Sequence, residues 1–230
     1  MLAGSACLTL FAQSAKPQSV NDVLAAYTSA LGGGAAIDRV ATREIHGTVG
    51  LHAHVTYYWQ KPNKVLRVSK RDRMSFDGSG GWIAVRRGRT KQLARDVGKR
   101  LEMDANPLRY THLKEMYSEL GPGAPETVDA RAMHLIVAPN NLGATKFYFD
   151  AGTHLLRRIE ETGETSAYFK TSTDFLNYKT VNAVQFPFRI VHSTTEPGGA
   201  KEDLRVSKVI ENNPLNPAVF SNPRVDPTGR

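Results

Sequence analysis

Apolar residues recur at a helical spacing near the start of the chain and alternate with polar residues further on. The first pattern predicts an amphipathic helix over 19–31, closed by the glycines at 32–34, and a second short helix over 34–40. The apolar stripe of the first helix consists of Val20, Val23, Leu24, Tyr27 and Leu31. From residue 42 onward the spacing changes mostly to period two, which is typical of strands with one buried face.

About ten strands are predicted, joined by short connections rich in turn-forming residues. They lie at 42–50, 51–60, 64–71, 82–86, 126–128 continuing into 133–138, 145–149, 155–161, 166–178, 184–193 and 201–210. Short connections favour a meander in which successive strands pair antiparallel. Residues 91–120 break the alternation with helical spacing and predict two helical pieces separated around Pro107.

The longer strands place their large apolar side chains on one face. These side chains are Phe147 and Phe149, then Val184, Phe186, Phe188 and Ile190, then Leu204, Val206 and Ile210. The intervening positions are mainly polar, so one face is expected to be wet and the other buried. A wide sheet with one apolar face must curl on itself or be covered by helices. The predicted fold class is therefore mainly β (α+β): a curved antiparallel sheet forming an incomplete β-barrel, with a helical lid.

Charge is unevenly distributed along the chain. The sequence carries a net charge of +8, and residues 61–100 hold thirteen basic against three acidic residues, whereas the remainder is nearly balanced. This basic segment, Lys61 to Arg100, suits either an anionic membrane surface or nucleic acid. A solvated face without a partner explains the same charges equally well.

The first fifteen residues resemble the end of a secretory signal peptide. They combine a short apolar run with small residues near position 15 but lack a basic n-region, so the signal is expected to be truncated at its start. An ordinary disordered tail is the alternative. Residues 16–230 are then predicted to form one domain of an exported, monomeric protein of the periplasm or cell envelope.

Cys7 is the only cysteine, which excludes an internal disulfide and a multi-cysteine metal site. It is expected to be removed with the signal peptide; lipidation at Cys7, which would tether the protein to a membrane, is the less favoured reading.

Five segments, in the same order, resemble the LolA/LolB superfamily of lipoprotein carriers, in its outer-membrane-lipoprotein-sorting-like branch. They are WQKPNKVLRV at 59–68, FDGSGGWIAV at 76–85, KFYFDAGTHLLRRIE at 146–160, DFLNYKTVNAVQFPFRI at 174–190 and VIENNPLNPAVFSNP at 209–223. The resemblance implies an incomplete barrel of about eleven strands, a helical lid over its mouth, and an apolar cavity for acyl chains. The segment 86–120 departs from it by being more basic than a typical carrier.

Lipid or lipoprotein acyl chains are therefore the expected ligand, and no cofactor or metal is expected. The predicted cavity-lining residues are Trp59, Trp82, Phe147, Phe149, Phe186, Phe188, Ile190 and Val206. The chain lacks a G-x-S-x-G nucleophile motif, and no set of residues indicates catalysis. His52 and His54 are predicted to lie on the same face of one strand, but an isolated pair of imidazoles rarely makes a metal site.

The same apolar residues could instead pack on one another in a closed core. In that case the protein would be an envelope sensor or scaffold that works through protein contacts. A basic nucleic-acid-binding β protein is a third hypothesis, and no nucleic acid is expected if the chain is exported.

Overall fold

A computed structural model describes residues 18–85, 89–141, 143–162, 169–199, 201–224 and 226–227. In these residues fourteen strands form one sheet, and every pairing in it is antiparallel. The segment predicted as a signal peptide and Cys7 lie outside the described residues.

The strands are β1 (Thr42–Val49), β2 (Ala53–Gln60), β3 (Lys64–Ser69), β4 (Asp72–Phe76), β5 (Gly81–Val85), β6 (Thr90–Gln92), β7 (Gly121–Pro122), β8 (Glu126–Val128), β9 (Arg131–Pro139), β10 (Ala144–Asp150), β11 (Leu156–Thr162), β12 (Lys170–Val181), β13 (Val184–Thr194) and β14 (Glu202–Glu211). The helices are α1 (Val20–Ala30), α2 (Gly34–Asp38), α3 (Arg95–Ala105), α4 (Leu113–Met116) and α5 (Ala218–Ser221), with a 3-10 helix at Pro107–His112.

Two sequential meanders meet in the middle of the sheet. The order is β6-β5-β4-β3-β2-β1-β14-β13-β12-β11-β10-β9-β7, with β8 also paired to β9. The first and last strands of the chain, β1 and β14, are therefore neighbours. β6 and β7 end the series without pairing to each other, so the sheet is open. The antiparallel architecture predicted from the short connections is confirmed.

Short strands account for the difference from the predicted count. β4, β6 and β7 were not expected, because five, three and two residues are too few to show a clear alternation. β12 ends at Val181, three residues beyond the predicted end. The two-residue turn at Asn182 and Ala183 has positive φ at both positions, which matches the twist of a hairpin.

The helices α1 to α4 and the 3-10 helix lie on one face of the sheet and complete the core, whereas α5 lies on the other face. Tyr27 of α1 packs edge-on against Phe149 with ring centroids 5.1 Å apart, and its hydroxyl donates to the Pro107 carbonyl oxygen at 3.4 Å. α3 approaches β4 closely at Gly98, where a Cβ atom would lie 2.7 Å from the Phe76 ring. We call this face of the sheet the inner face.

The opposite face is not wholly polar, so the expectation of one wet side is only partly right. Leu66 is covered by Val219 and Phe220 of α5 in the C-terminal segment. A second small cluster joins Val128, Met133, Leu135 and Tyr148. Within the residues described, no helix combines the length and apolar content needed to cross a bilayer.

Candidate ligand-binding site on the inner face

Six of the eight predicted lining residues share one buried cluster on the inner face. They are Trp59, Phe147, Phe149, Phe186, Ile190 and Val206, and each is at most 8% exposed. They come from β2, β10, β13 and β14, so the cluster extends across most of the sheet. The alternation of each strand places them there, because side chains two residues apart point to the same side.

The other two predicted residues have different surroundings. Phe188 is half-buried at the edge of the cluster, 6.5 Å from Phe186 between ring centroids, and the ammonium of Lys179 lies 4.5 Å from its ring. Trp82 pairs with Ser75, whereas the adjacent Met74 and Phe76 contribute to the inner-face core. The register therefore places Trp82 on the outer face, opposite the other seven.

Helical side chains fill the space in front of this apolar face. Tyr110 of the 3-10 helix contacts the rings of Phe147 and Phe175 at centroid distances of 5.9 and 6.0 Å. Tyr117, just after α4, packs on Phe147 at 5.5 Å. Phe147, and Phe149 through its contact with Tyr27, are thus packed against the helices, and a ligand could reach these two rings only where the helices move aside.

A buried ion pair lies at one end of the inner face. The Arg43 guanidinium donates to Glu211 Oε1 at 3.0 Å, and both side chains are at most 1% exposed. The guanidinium also lies 5.5 Å from the Trp59 ring centre and 4.8 Å from that of Phe186. Burial lowers the pKa of Arg43, and attraction to the Glu211 carboxylate opposes this shift.

A second polar network ties α3 to the inner face. Asp104, near the end of α3, accepts from the Tyr57 hydroxyl at 3.1 Å through one carboxylate oxygen, and its other oxygen lies 2.5 Å from His192 Nε2. His192 Nδ1 in turn lies 2.8 Å from the Thr173 hydroxyl oxygen. Because a carboxylate accepts hydrogen bonds, Nε2 is the protonated nitrogen in this arrangement.

This network reaches across four neighbouring strands of the sheet, because Tyr57 is in β2 and His192 is in β13, with β1 and β14 between them. One carboxylate of α3 therefore holds both halves of the inner face. Burial, together with the negative charge of Asp104, raises the pKa of Tyr57 well above its usual value, so the phenol remains a hydrogen-bond donor. We call Tyr57, Asp104, Thr173 and His192 the α3 anchor.

Replacing Asp104 by Asn is expected to loosen α3. The amide keeps the size of the carboxylate but cannot accept at both ends, and an unsatisfied buried partner costs about 1–3 kcal/mol. Hydrogen exchange followed by mass spectrometry should show faster exchange in peptides covering Arg95–Ala105. Glu119→Gln, at an exposed position, is the matched control and should leave this exchange unchanged. Equal exchange in the two variants would show that Asp104 does not anchor the helix.

Comparison with solved structures places this arrangement among known folds. The chain aligns with a DUF1329 family protein from Desulfovibrio piger at a TM-score of 0.64 and 10% identity, over 90% of this chain and 99% of that one. It aligns with a LolA superfamily protein from Nitrosomonas europaea at 0.56 and 12% identity, over 90% and 100%. The chain has a LolA-like fold. The order of the resembling sequence segments had predicted this.

A domain from Vibrio parahaemolyticus described as an outer membrane lipoprotein-sorting protein has the same LolA-like fold, with a TM-score of 0.54 and 12% identity over 80% of this chain and 89% of that one. No family model matches the sequence, and no curated protein matches it. At these identities the likeness concerns the fold, and the function has to be argued from the residues.

Two grooves on the helical layer of this LolA-like fold were not predicted. One, of about 580 Å³, separates α1 from the 3-10 helix and α4, and the other, of about 380 Å³, continues past Lys114 toward Leu120. Both are lined by Asn21 and Lys114, and the eight predicted lining residues line neither of them. The sequence offered no signal for the grooves, because they form between helices that are 80 to 90 residues apart.

The basic segment is divided by the meander of the LolA-like sheet. Lys61 lies at the β2–β3 turn and pairs with Asp38 at 3.4 Å, whereas Lys70 and Arg71 lie at the β3–β4 turn, at the opposite ends of these strands. Arg67 pairs with Asp72, and Arg100 pairs with Glu202. The segment is therefore not a single basic surface.

Proposed function

We propose that this protein is a non-catalytic carrier of the periplasm or cell envelope that binds lipid or lipoprotein acyl chains on the inner face. The observation that carries the proposal is the continuous apolar cluster of the inner face, covered by short helices, in a LolA-like fold. The apolar N-terminal run supports export. Burial of acyl chains would stabilise such a complex by about 0.8 kcal/mol per methylene.

Binding would require the helical cover to move. Tyr110 and Tyr117 occupy the space next to Phe147, so an acyl chain would replace their rings as the apolar partner of the sheet. This exchange has a small net cost in hydrophobic free energy, because one apolar contact replaces another. The polar contacts of the α3 anchor would then have to be broken or rearranged, and they set the cost of opening.

A second candidate function is supported by the packing itself. Phe147, Phe149 and Phe186 are at most 1% exposed and are in contact with the protein's own side chains. Such an interior suits a sensor or scaffold that binds other proteins through its surface. The two functions differ in whether acyl chains ever reach the inner face.

The two tryptophans of the chain provide a direct test, because they lie on opposite faces of the sheet. Trp82→Phe leaves Trp59 as the only tryptophan, on the inner face, and Trp59→Phe leaves Trp82 on the outer face. Each variant is titrated with brominated stearic acid, whose bromine atoms quench nearby indole fluorescence, and with unbrominated stearic acid as the reference. A carrier is expected to show quenching of Trp59 and none of Trp82.

Quenching of Trp82 alone, or of neither tryptophan, would contradict binding at the inner face. An independent test is to purify the protein from the envelope fraction, extract it with organic solvent and analyse any lipid that co-purified with it. Co-purified phospholipid or lipopeptide supports the carrier. Protein that is free of lipid and shows no quenching would support the scaffold.

A further inference from the structure

Two large apolar side chains stand out on the surface of the described residues. Leu51, at the β1–β2 turn, is 87% exposed, and Val85, at the end of β5, is 44% exposed. All other large apolar side chains in the described part of the chain are more deeply buried. An exposed leucine at a loop tip is unremarkable alone, but two on one edge of the molecule suggest a contact surface.

The register of the sheet brings these residues to the same rim. Val49 pairs with Ala53, so Leu51 lies at the tip of that hairpin. Val55 pairs with Ser69, which places the β3–β4 turn beside the base of the hairpin. Asp72 pairs with Val85, so Val85 lies next to the same turn.

Three basic residues lie on the same rim as these apolar side chains. Lys70 and Arg71 form the β3–β4 turn and Arg89 precedes β6, and all three are exposed. No ion pair joins any of them to a carboxylate in the described residues, and the nearest acid along the chain, Asp72, is engaged by Arg67 at 3.0 Å. We define the basic rim as Leu51, Lys70, Arg71, Val85 and Arg89.

We propose that the basic rim docks on the surface of an anionic phospholipid bilayer. Lys70, Arg71 and Arg89 would contact lipid phosphates, while Leu51 and Val85 would enter the boundary between headgroups and acyl chains. Each basic residue near an anionic leaflet contributes about 1 kcal/mol, which is about a fivefold change in affinity. The inference rests on the proposed carrier function, since a carrier must meet a membrane to collect or deliver lipid.

The apolar members of the rim favour a bilayer over nucleic acid. A phosphate backbone attracts the three cations equally well, but it offers no apolar layer to accept the aliphatic side chains that lie on the same rim. A lipid interface accepts both kinds of group. Leu51 therefore distinguishes the two partners.

Flotation with vesicles of phosphatidylcholine and phosphatidylglycerol tests the docking surface. The full chain should float with anionic vesicles at low salt and bind less at high salt. Lys70→Glu combined with Arg71→Glu should weaken binding by about 25-fold or more, at about fivefold for each cation removed. Leu51→Asp should weaken it by about tenfold, as expected for losing one buried leucine side chain.

Arg39→Glu combined with Lys208→Glu is the matched control, because it makes the same change in net charge at exposed positions away from the basic rim. This control should retain vesicle binding. An equal loss in the control, an unchanged affinity of Leu51→Asp, or tighter retention on DNA than on vesicles would overturn the proposal.

Quenching of Trp59 by brominated stearic acid, measured in the rim variants, distinguishes a failure of docking from a failure of the carrier function. If quenching persists while flotation is lost, the docking surface is supported, and if the unmodified chain is quenched but never floats, docking fails while the carrier function stands.

Discussion

Replacing Arg43 by Met is expected to lower the free energy of unfolding by about 3–5 kcal/mol, the usual effect of leaving one member of a buried ion pair without its partner. Glu211 would keep a charge at a position where its side chain is 1% exposed. Urea unfolding followed by circular dichroism measures the loss, and an unchanged slope of free energy against urea would confirm that stability alone has changed.

The double variant Arg43→Met with Glu211→Leu should recover most of this loss, because a buried ion pair replaced by apolar residues of similar size is often neutral. Arg43→Lys should also destabilise the protein, although it keeps the positive charge. Its ammonium lacks the planar group that lies over Trp59 and Phe186. A loss below about 1 kcal/mol in Arg43→Met would show that the pair is solvated in solution.

Truncating Phe147 to Ala should cost about 3–5 kcal/mol of unfolding free energy, the usual range for a fully buried phenylalanine. Its ring is 0% exposed and contacts both Tyr110 and Tyr117, so the substitution removes the contacts of these two rings with β10. Thermal unfolding measures the loss. Leu51→Ala, at an exposed apolar position, is the control and should change stability by less than about 0.5 kcal/mol.

A small effect of Phe147→Ala would mean that the helices do not rest on the sheet in solution, and the inner face would then be open without any ligand. A large effect agrees with a cover that is closed at rest. Together with faster exchange of α3 in Asp104→Asn, it would separate the two contributions to closure. The rings supply apolar contact, and the α3 anchor fixes the position of the helix.

The strand pattern of the second half of the chain was predictable because its strands are long. β9 to β14 contain seven or more residues each, and alternation over that length leaves little ambiguity about which face is buried. Phe147, Phe149 and Phe186 were assigned to the buried face for this reason. Trp82 was predicted to belong to the same lining, but β5 has only five residues, too few to show which face each side chain occupies, and the register places Trp82 on the outer face.

The two polar contacts of the inner face were not predictable from the sequence. Arg43 and Glu211 are 168 residues apart, and Asp104 and His192 are 88 residues apart. A charged residue on a strand or helix is normally expected at the surface. Only the pairing of β1 with β14 and the return of α3 across the sheet bring these groups together.

The alternation of residues and the short connections between the strands determined by themselves that this protein forms an antiparallel sheet with one apolar face and a helical interruption. Side-chain direction along a strand depends only on local geometry, and short connections join neighbouring antiparallel strands. The tertiary structure decided what lies against that face, which charges are buried, and that Leu51 and Val85 share a rim with three cations. These features depend on contacts between distant segments, and neither composition nor periodicity encodes such contacts.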